Sequence, residues 1–247
     1  MRMWKIGAAV AAAWLLTGAV VADDLAAVEK AVQEAYGKVK SVRAKIVGET
    51  NMENPSFSLK GASTGSYEFA RQGGKYYART ETKDSSETTM AGQSNKTEGS
   101  TLTVCDGEWI WSLSDQMGTK TATKMKVQKD IDRDSFQQLK ESHSLKLLPE
   151  EKVNGADCYV IEATPKDPSQ AAMSGRMVQY ITKQHGFSVK TVGYTPDNKP
   201  MFTMTFTDIE FDVDIAPDRF KFEAPEGVTV QEVAMPAEGG EGETANP

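Results

Sequence analysis

The feature that most limits how this chain can fold is a two-residue alternation of apolar and polar side chains, which recurs from Val42 to Phe211. Successive side chains of a β-strand point to opposite faces, so this period is typical of strands with one buried face. Turn sequences such as Gly73-Gly74, Asn154-Gly155 and His185-Gly186 separate many of the runs. The pattern predicts about ten or eleven antiparallel strands, joined mostly by hairpins, in one large and strongly curved sheet.

Three segments follow a helical pattern instead. From Asp23 to Val42 apolar residues recur at helical spacing after two aspartates, which favour a helix start, so we expect an amphipathic helix of about five turns. Short helices are predicted within Lys129 to His143 and around Gln170 to Ser174. A Ser/Thr/Lys-rich stretch from Asp84 to Gly99 is interpreted as a long, irregular hairpin tip. The fold class is therefore α+β.

The two ends of the chain differ from its body. Arg2 and Lys5 precede an apolar run and a small-residue end at Ala22, which is typical of a secretory signal peptide spanning residues 1–22. Residues 236–247 are acidic and lack large apolar side chains, so we expect a disordered tail. Residues 23–235 suit a single domain, expected to be exported and soluble.

The charge of the chain bears on its partners. The sequence carries 35 acidic against 28 basic residues, a formal net charge of -7. Because neutralisation of phosphates supplies most non-specific affinity for nucleic acids, we expect no nucleic-acid partner. We also expect a monomer without a cofactor.

The chain has two cysteines, Cys105 and Cys158, both in strand-like contexts. In an oxidising compartment such a pair is more often bridged than free, so we predict a Cys105–Cys158 disulfide. No metal site is predicted, because the two histidines, His143 and His185, lie far from both cysteines in sequence.

Two weaker motifs are assigned to structure and not to chemistry. Gly61-Ala-Ser-Thr-Gly65 matches the hydrolase nucleophile elbow, but a further strand follows it where that motif needs a helix, so Ser63 is not expected to be catalytic. The acidic residues from Asp208 to Asp214 alternate with apolar ones, which a half-exposed strand explains better than a calcium site. We therefore expect no enzyme.

The nine residues Cys105 to Leu113, CDGEWIWSL, form the most distinctive local sequence. Asp106-Gly107 favours a two-residue type I′ turn, which would pair Cys105 with Glu108 and Val104 with Trp109. Leu102, Val104, Trp109 and Trp111 would then share one face, and Cys105 would lie on the other. This apolar face is interpreted either as core or as the wall of a ligand cavity.

Taken together, these features resemble the LolA-type periplasmic lipoprotein carriers and the wider outer-membrane lipoprotein-sorting group. The resemblance is carried by the signal sequence, the long first helix and the ending Phe220-Lys-Phe-Glu-Ala-Pro-Glu-Gly-Val228, a phenylalanine-rich strand leading into a Pro-x-Gly-Val turn. Strand and turn patterns around Asp106 to Trp109, Tyr180 to Gly186 and Phe206 to Ile209 also match.

The resemblance implies an incomplete antiparallel β-barrel whose concave face is covered by the N-terminal helix and short lid helices. It implies a non-enzymatic periplasmic carrier that binds acyl chains of lipoproteins or lipids, taken from an inner-membrane donor and delivered to an outer-membrane acceptor. The alternative is an envelope sensor or protein-interaction module of the same fold.

An acyl-chain cavity of this kind would be lined by aromatic and flexible apolar side chains. The predicted lining residues are Tyr67, Phe69, Leu102, Val104, Trp109, Trp111, Met173, Met177, Phe202, Met204 and Phe206. The helix from Asp23 to Val42 is expected to cover the tryptophans.

Overall fold

The computed structural model describes residues 22–54, 56–127 and 135–233. The predicted signal peptide, except for Ala22, lies outside these residues, as does the predicted acidic tail. In the part of the chain that is described, no helix has the length and apolar character needed to span a membrane.

The described residues form three α-helices, twelve strands and a short 3₁₀ turn. The helices are α1 (Ala22–Tyr36), α2 (Ser135–Ser142) and α3 (Pro168–Met173), and the 3₁₀ turn is Pro217–Phe220. The strands are β1 (Ser41–Asn54), β2 (Phe57–Gln72), β3 (Lys75–Met90), β4 (Gln93–Cys105), β5 (Trp109–Gln116), β6 (Thr119–Lys126), β7 (His143–Val153), β8 (Ala156–Pro165), β9 (Met177–Thr182), β10 (Ser188–Tyr194), β11 (Pro200–Phe211) and β12 (Val230–Glu232).

All twelve strands belong to one open sheet in the order β12-β6-β5-β4-β3-β2-β1-β11-β10-β9-β8-β7. Neighbours along the chain pair in antiparallel fashion within β1–β6 and within β7–β11, and β1 pairs with β11 to join the two halves. Only β12 is parallel to its neighbour, β6. This arrangement confirms the predicted incomplete antiparallel barrel with few helices.

The two faces of β1–β6 differ in exposure. Val42, Ala44 and Ile46 of β1 are buried, whereas the intervening Lys45 and Val47 are exposed. Val42 pairs with Phe69 of β2, and Phe69 pairs with a residue of β3, so the same face continues across the neighbouring strands. We call the face of Val42 and Phe69 the inner face and the opposite one the outer face.

Helices α1 and α2 pack on the inner face. Val28 and Val32 of α1 join Phe136 of α2, Ile161 and Ile181 in one buried cluster, which also contacts Leu145, Leu147 and Tyr159. An ion pair of 2.7 Å between Lys140 and Glu29 ties the two helices together. The amphipathic pattern of α1 is thereby satisfied against β7, β8 and β9.

The segment after β11 packs on the outer face. Phe220 and Ile215 bury themselves against Ala70, while Arg219 Nε donates a 2.7 Å hydrogen bond to Glu68 Oε2. Glu68 is itself buried and also pairs with Arg43 at 3.4 Å. The buried Glu68 carboxylate therefore joins the C-terminal segment to β1 and β2. Detaching Arg219 would take away one of the two cations that pair with this buried charge, which is unfavourable.

Several predicted boundaries are wrong. The first helix ends at Tyr36, and Ser41 already belongs to β1. The stretch from Asp84 to Gly99, predicted as an irregular tip, is the regular end of the β3–β4 hairpin with a turn at 91–92. Strand β7 was not predicted from the sequence at all.

The close approach of β2 to β3 gives the first prediction. A Cβ atom at Gly65 would lie 2.0 Å from the backbone oxygen of Glu81, whereas one at Gly61 would meet its nearest neighbour at 3.4 Å. Gly65→Ala should therefore lower the free energy of unfolding by about 1–3 kcal/mol, the usual cost of overpacking. Gly61→Ala, the matched control, should be nearly neutral. Equal urea midpoints for the two variants would contradict this packing.

Candidate ligand-binding cavity

An aromatic cluster occupies the inner face where β1, β2 and β11 meet. Tyr67 lies 5.5 Å from Phe206 and 6.0 Å from Phe187, measured between ring centroids. Phe187 in turn contacts Phe206 at 5.1 Å and Phe211 at 6.0 Å. Phe69, fully buried, stacks on Tyr36 of α1. The cluster therefore links the C-terminal end of α1 to the sheet.

Three tyrosine hydroxyls meet inside this cluster. The Tyr67 phenol hydrogen-bonds with Tyr36 and Tyr76, and burial, with a smaller contribution from these two groups, raises the pKa of Tyr67 well above its usual range. The Arg71 guanidinium lies over the rings of Tyr36 and Phe69 and donates to the Tyr36 backbone oxygen at 2.9 Å. Tyr67 is thus a neutral hydrogen-bonding group in an apolar setting.

A cavity of about 730 Å³ adjoins the cluster, a size suited to a small-molecule ligand. Its apolar walls are Val153, Val189, Phe206, Ile209 and Phe211. Register irregularities surround it: β11 is bulged against β1, β10 against β9 and β7 against β8. Because a bulge bends its strand, the three together open this end of the sheet.

The other cavity-lining residues are mostly polar. They lie in the turns β7–β8 and β9–β10, in the adjoining ends of β8 and β9, and in β11: Asn154, Gly155, Ala156, Asp157, Thr182, Lys183, Gln184, His185, Thr207 and Asp208. His185 stacks on Phe211 at 3.7 Å, and Lys45 pairs with Asp208 at 2.6 Å. The cavity therefore combines apolar walls with hydrogen-bonding groups.

Helix α1 touches the β9–β10 turn directly. Gly186 has φ of +63°, and a Cβ there would lie 2.3 Å from the Val32 backbone oxygen. Only glycine fits both the left-handed backbone and this approach. Movement of α1 would therefore disturb His185, the neighbouring cavity residue.

The predicted lining residues are divided between the two faces. By cross-strand pairing, Tyr67, Phe69, Met177, Phe202, Met204 and Phe206 lie on the inner face. Leu102, Val104, Trp109 and Trp111 lie on the outer face, since Val104 pairs with Arg79, which is opposite Glu68. Met173 ends α3, and its side chain is outside the described part. Of the whole set, Phe206 lines the cavity.

The hairpin containing the two tryptophans has a different register from the predicted one. Cys105 pairs with Ile110 and Val104 with Trp111, and the Asp106 backbone nitrogen donates to the Trp109 oxygen at 3.1 Å, so the turn lies one residue later than predicted, at Gly107-Glu108. The Asp106 carboxylate causes this shift: its Oδ1 accepts from the backbone nitrogens of Glu108 and Trp109 at 2.9 and 2.7 Å. The shift of two residues preserves the faces, which confirms that the tryptophans share a face with Val104.

The expectation that α1 covers these tryptophans is wrong. Trp111 stacks on Phe222 of the C-terminal segment at 5.1 Å, and its Nε1–H donates to Asp106 Oδ2 at 2.7 Å. Trp109 carries the Lys124 ammonium over its ring at 4.2 Å. On the outer face the tryptophans pack the C-terminal segment and β6, far from the contacts of α1.

The predicted disulfide is also wrong. Cys105 and Cys158 are free and buried, and their thiols donate weakly to the backbone oxygens of Tyr76 and Ala156. The two residues stand in β4 and β8, which are separated in the sheet by β3, β2, β1, β11, β10 and β9. Burial raises the pKa of both thiols.

The weaker motifs take part in ordinary structure. Ser63 lies within β2, paired with Gly48 and Asp84, where no elbow is formed. In the acidic series Asp208 pairs with Lys45, and Asp212 accepts from the Lys40 backbone nitrogen at 2.8 Å. Across residues 22–54, 56–127 and 135–233, no group of three or more His, Cys, Asp or Glu could hold a metal ion.

Sequence reasoning missed most of the cavity. Val153, Val189 and Phe211 come together because the turns at Asn154-Gly155 and His185-Gly186 lie at the same end of the sheet. Those two turn signals were visible, but the bulges that bring the strands into this arrangement have no sequence signature of comparable strength.

Comparison with known proteins gives a distant likeness. A family model described only as an uncharacterized protein matches residues 112–223. The uncharacterized protein MJ0687 of Methanocaldococcus jannaschii is 24% identical over 212 residues, which cover 83% of this chain and 52% of that protein. The chain thus spans about half the length of this curated relative.

Among solved structures, the crystal structure of MucB matches with a TM-score of 0.51 and 17% identity, over 82% of this chain and 64% of that one. The complex of Pseudomonas aeruginosa MucA and MucB matches with a TM-score of 0.49 and 17% identity, over 81% and 61%. The likeness to MucB supports the LolA-like fold inferred from the sequence and extends to the fold alone.

The outer-face position of Trp111 predicts a structural role. Trp111→Ala should lower the free energy of unfolding by about 2–4 kcal/mol, because it removes the stacking on Phe222 and the bond to Asp106. Trp111→Phe, which keeps a ring, should lose about 1 kcal/mol. Urea denaturation measures both. An unchanged midpoint for Trp111→Ala would contradict the packing described.

The free cysteines predict a labelling pattern. Protein purified without reductant and then denatured should react at both thiols per chain with a maleimide, as counted by mass spectrometry. The folded protein should react slowly, since both side chains are buried and their raised pKa values disfavour the thiolate. If the denatured protein showed no reactive thiols, the result would contradict the free cysteines and support the predicted disulfide.

Proposed function

We propose that this protein is a periplasmic carrier that holds an acyl chain of a lipoprotein or lipid in the cavity beside β11. The observation that carries the proposal is the cavity of about 730 Å³ walled by Val153, Val189, Phe206, Ile209 and Phe211. The sequence resemblance to LolA-type carriers and the fold shared with MucB support it. No chemical step is required of any residue.

Binding would rest on burial of methylene groups. Each buried methylene contributes about 0.8 kcal/mol, so a chain of several carbons against these walls gives useful affinity without specific polar contacts. The polar residues Asp157, Lys183 and His185 would meet the polypeptide of an acylated protein cargo. Release to an acceptor would follow if α1 moved, because its contact with Gly186 fixes the turn beside the cavity.

A second candidate is a protein-interaction module of the same fold. The observation that favours it is β7, an edge strand of the sheet with no further strand beside it among the described residues. Such an edge can pair with an extended segment of another protein. Native mass spectrometry of protein purified from its own host's periplasm separates the candidates, because co-purified lipid supports a carrier and a co-purified polypeptide without lipid supports the module.

Filling the cavity should weaken acyl binding. Ile209→Trp adds bulk at the cavity wall and should raise the dissociation constant of 11-(dansylamino)undecanoic acid about tenfold, the effect of losing room for about two methylenes. Val47→Trp, on the neighbouring strand at a position 42% exposed, is the matched control and should leave affinity unchanged. Fluorescence titration measures both. Equal affinities, or no saturable binding to the parent, would contradict the proposal.

A further inference from the structure

The inner face of β1–β6 is almost free of charge. Every charged side chain of these strands points to the outer face, except Arg71 and Asp84. Arg71 is bonded to the backbone oxygens of Tyr36 and Val39, and Asp84 accepts from the Thr82 hydroxyl at 3.2 Å. The face is apolar near α1 and again at the far ends of β1, β2 and β3, where Met52, Leu59 and Met90 lie, and the part between them is polar.

Beyond Tyr67 the inner face becomes a regular array of hydroxyl groups. Cross-strand pairing aligns two rows over β3, β4, β5 and β6: Thr80, Thr103, Ser112 and Thr123 in one, and Thr82, Thr101, Ser114 and Thr121 in the next. Neighbouring hydroxyl positions are about 4.8 Å apart across strands and about 6.7 Å apart along them. We call these eight residues the hydroxyl array.

The array is available for binding. Thr82 donates to Asp84, and Ser114 accepts a long hydrogen bond of 3.4 Å from Gln116 Nε2. The other six side chains make no hydrogen bond to another residue in the described part of the chain. All of them except Thr121 are half-buried. Tyr67 pairs directly with Thr80, which makes the array continuous with the aromatic cluster.

Strand propensity alone does not explain this array. The same strands place Arg79, Glu81 and Lys83 on the outer face. Charged side chains are therefore compatible with these strands, and they alternate with the hydroxyl residues. The division assigns uncharged hydrogen-bonding groups to the inner face and charges to the outer one. A ligand matched to the inner face therefore needs many hydrogen-bonding groups and no net charge.

We propose that the hydroxyl array binds an uncharged saccharide, either free or as the headgroup of a glycolipid whose acyl chain lies in the cavity. A phosphate or carboxylate would need cationic partners, and Arg71 already serves backbone oxygens. An acyl chain over the array would leave the hydroxyls unpaired at a cost in free energy. An extended peptide pairs with a sheet edge and not with a face.

The glycolipid form of this inference rests on the proposed function, whereas the free-saccharide form does not. The probes are dodecyl maltoside and dodecylphosphocholine, which share a chain and differ in headgroup, and maltotriose, which has no chain. Isothermal titration calorimetry is performed below the critical micelle concentration of each detergent. The parent should bind dodecyl maltoside about tenfold more tightly than dodecylphosphocholine, the effect of one or two added hydrogen bonds.

The test variant is Thr101→Val with Thr103→Val, which removes two central hydroxyls while keeping β-branched side chains suited to a strand. It should bind dodecylphosphocholine as the parent does and lose the preference for dodecyl maltoside. The control is Thr64→Val with Ser100→Ala, on the outer face of β2 and β4, which should retain the preference.

The outcomes separate the two proposals. If neither detergent binds but maltotriose binds and the Thr101/Thr103 variant abolishes it, the carrier proposal fails and the saccharide site stands. Equal affinity for both detergents, an unchanged preference in the Thr101/Thr103 variant, equal loss in the outer-face control, or no binding of any probe overturns the saccharide site. Circular dichroism confirms that both variants fold.

Discussion

The long strands of β1–β6 keep their charged side chains, apart from Arg71 and Asp84, on one face, because α1 and the aromatic cluster take up part of the other. An unpaired charge under α1 would be desolvated at a cost of several kcal/mol, and the one cation there, Arg71, is paired with the backbone oxygens of Tyr36 and Val39. The strict alternation from Val42 to Ile46, repeated in the paired strands, meets this condition. It also leaves the outer face polar enough to accept a second layer.

That second layer is the C-terminal segment, and it depends on the same alternation. Glu68 lies on the outer face because it is one residue from Phe69, and it is buried only because Arg43 and Arg219 lie against it. Phe220 and Phe222 then fill the space beside Ala70 and Trp111. The tryptophans are thus part of the attachment of this segment, which explains why so much aromatic surface stands next to a turn.

Much of the fold could be predicted from the sequence because it depends on period and turn chemistry. The strand Met177–Thr182 was predicted with its observed bounds, and the open antiparallel barrel followed from the number of strands. The hairpin register was not predictable from turn propensity, since the Asp106 side chain accepts two backbone hydrogen bonds and the turn lies at Gly107-Glu108 instead of Asp106-Gly107. Strand β7 was missed because Pro149 and its charged neighbours weaken the alternation.

The site was less predictable than the fold, because it depends on how faces and bulges combine. Alternation indicated which residues of one strand share a face. It did not relate the face of Trp111 to that of Phe69, because three successive strand registers are needed to connect β5 with β2. A disulfide was inferred from compartment and cysteine number, but the sheet order keeps β4 and β8 apart. The redox state of a cellular compartment says nothing about the distance between two cysteines in the fold.

Tyr67 marks the boundary between the two kinds of inner surface. Its ring belongs to the aromatic cluster with Phe187 and Phe206, whereas its backbone pairs with Thr80, the first residue of the hydroxyl array. Its phenol stays neutral because burial raises its pKa, so it adds a hydrogen-bonding group to the boundary without adding charge. A residue with an apolar ring and a neutral polar tip suits this position, since phenylalanine would leave Tyr36 and Tyr76 without a shared partner and a charged residue would break the neutrality of the face.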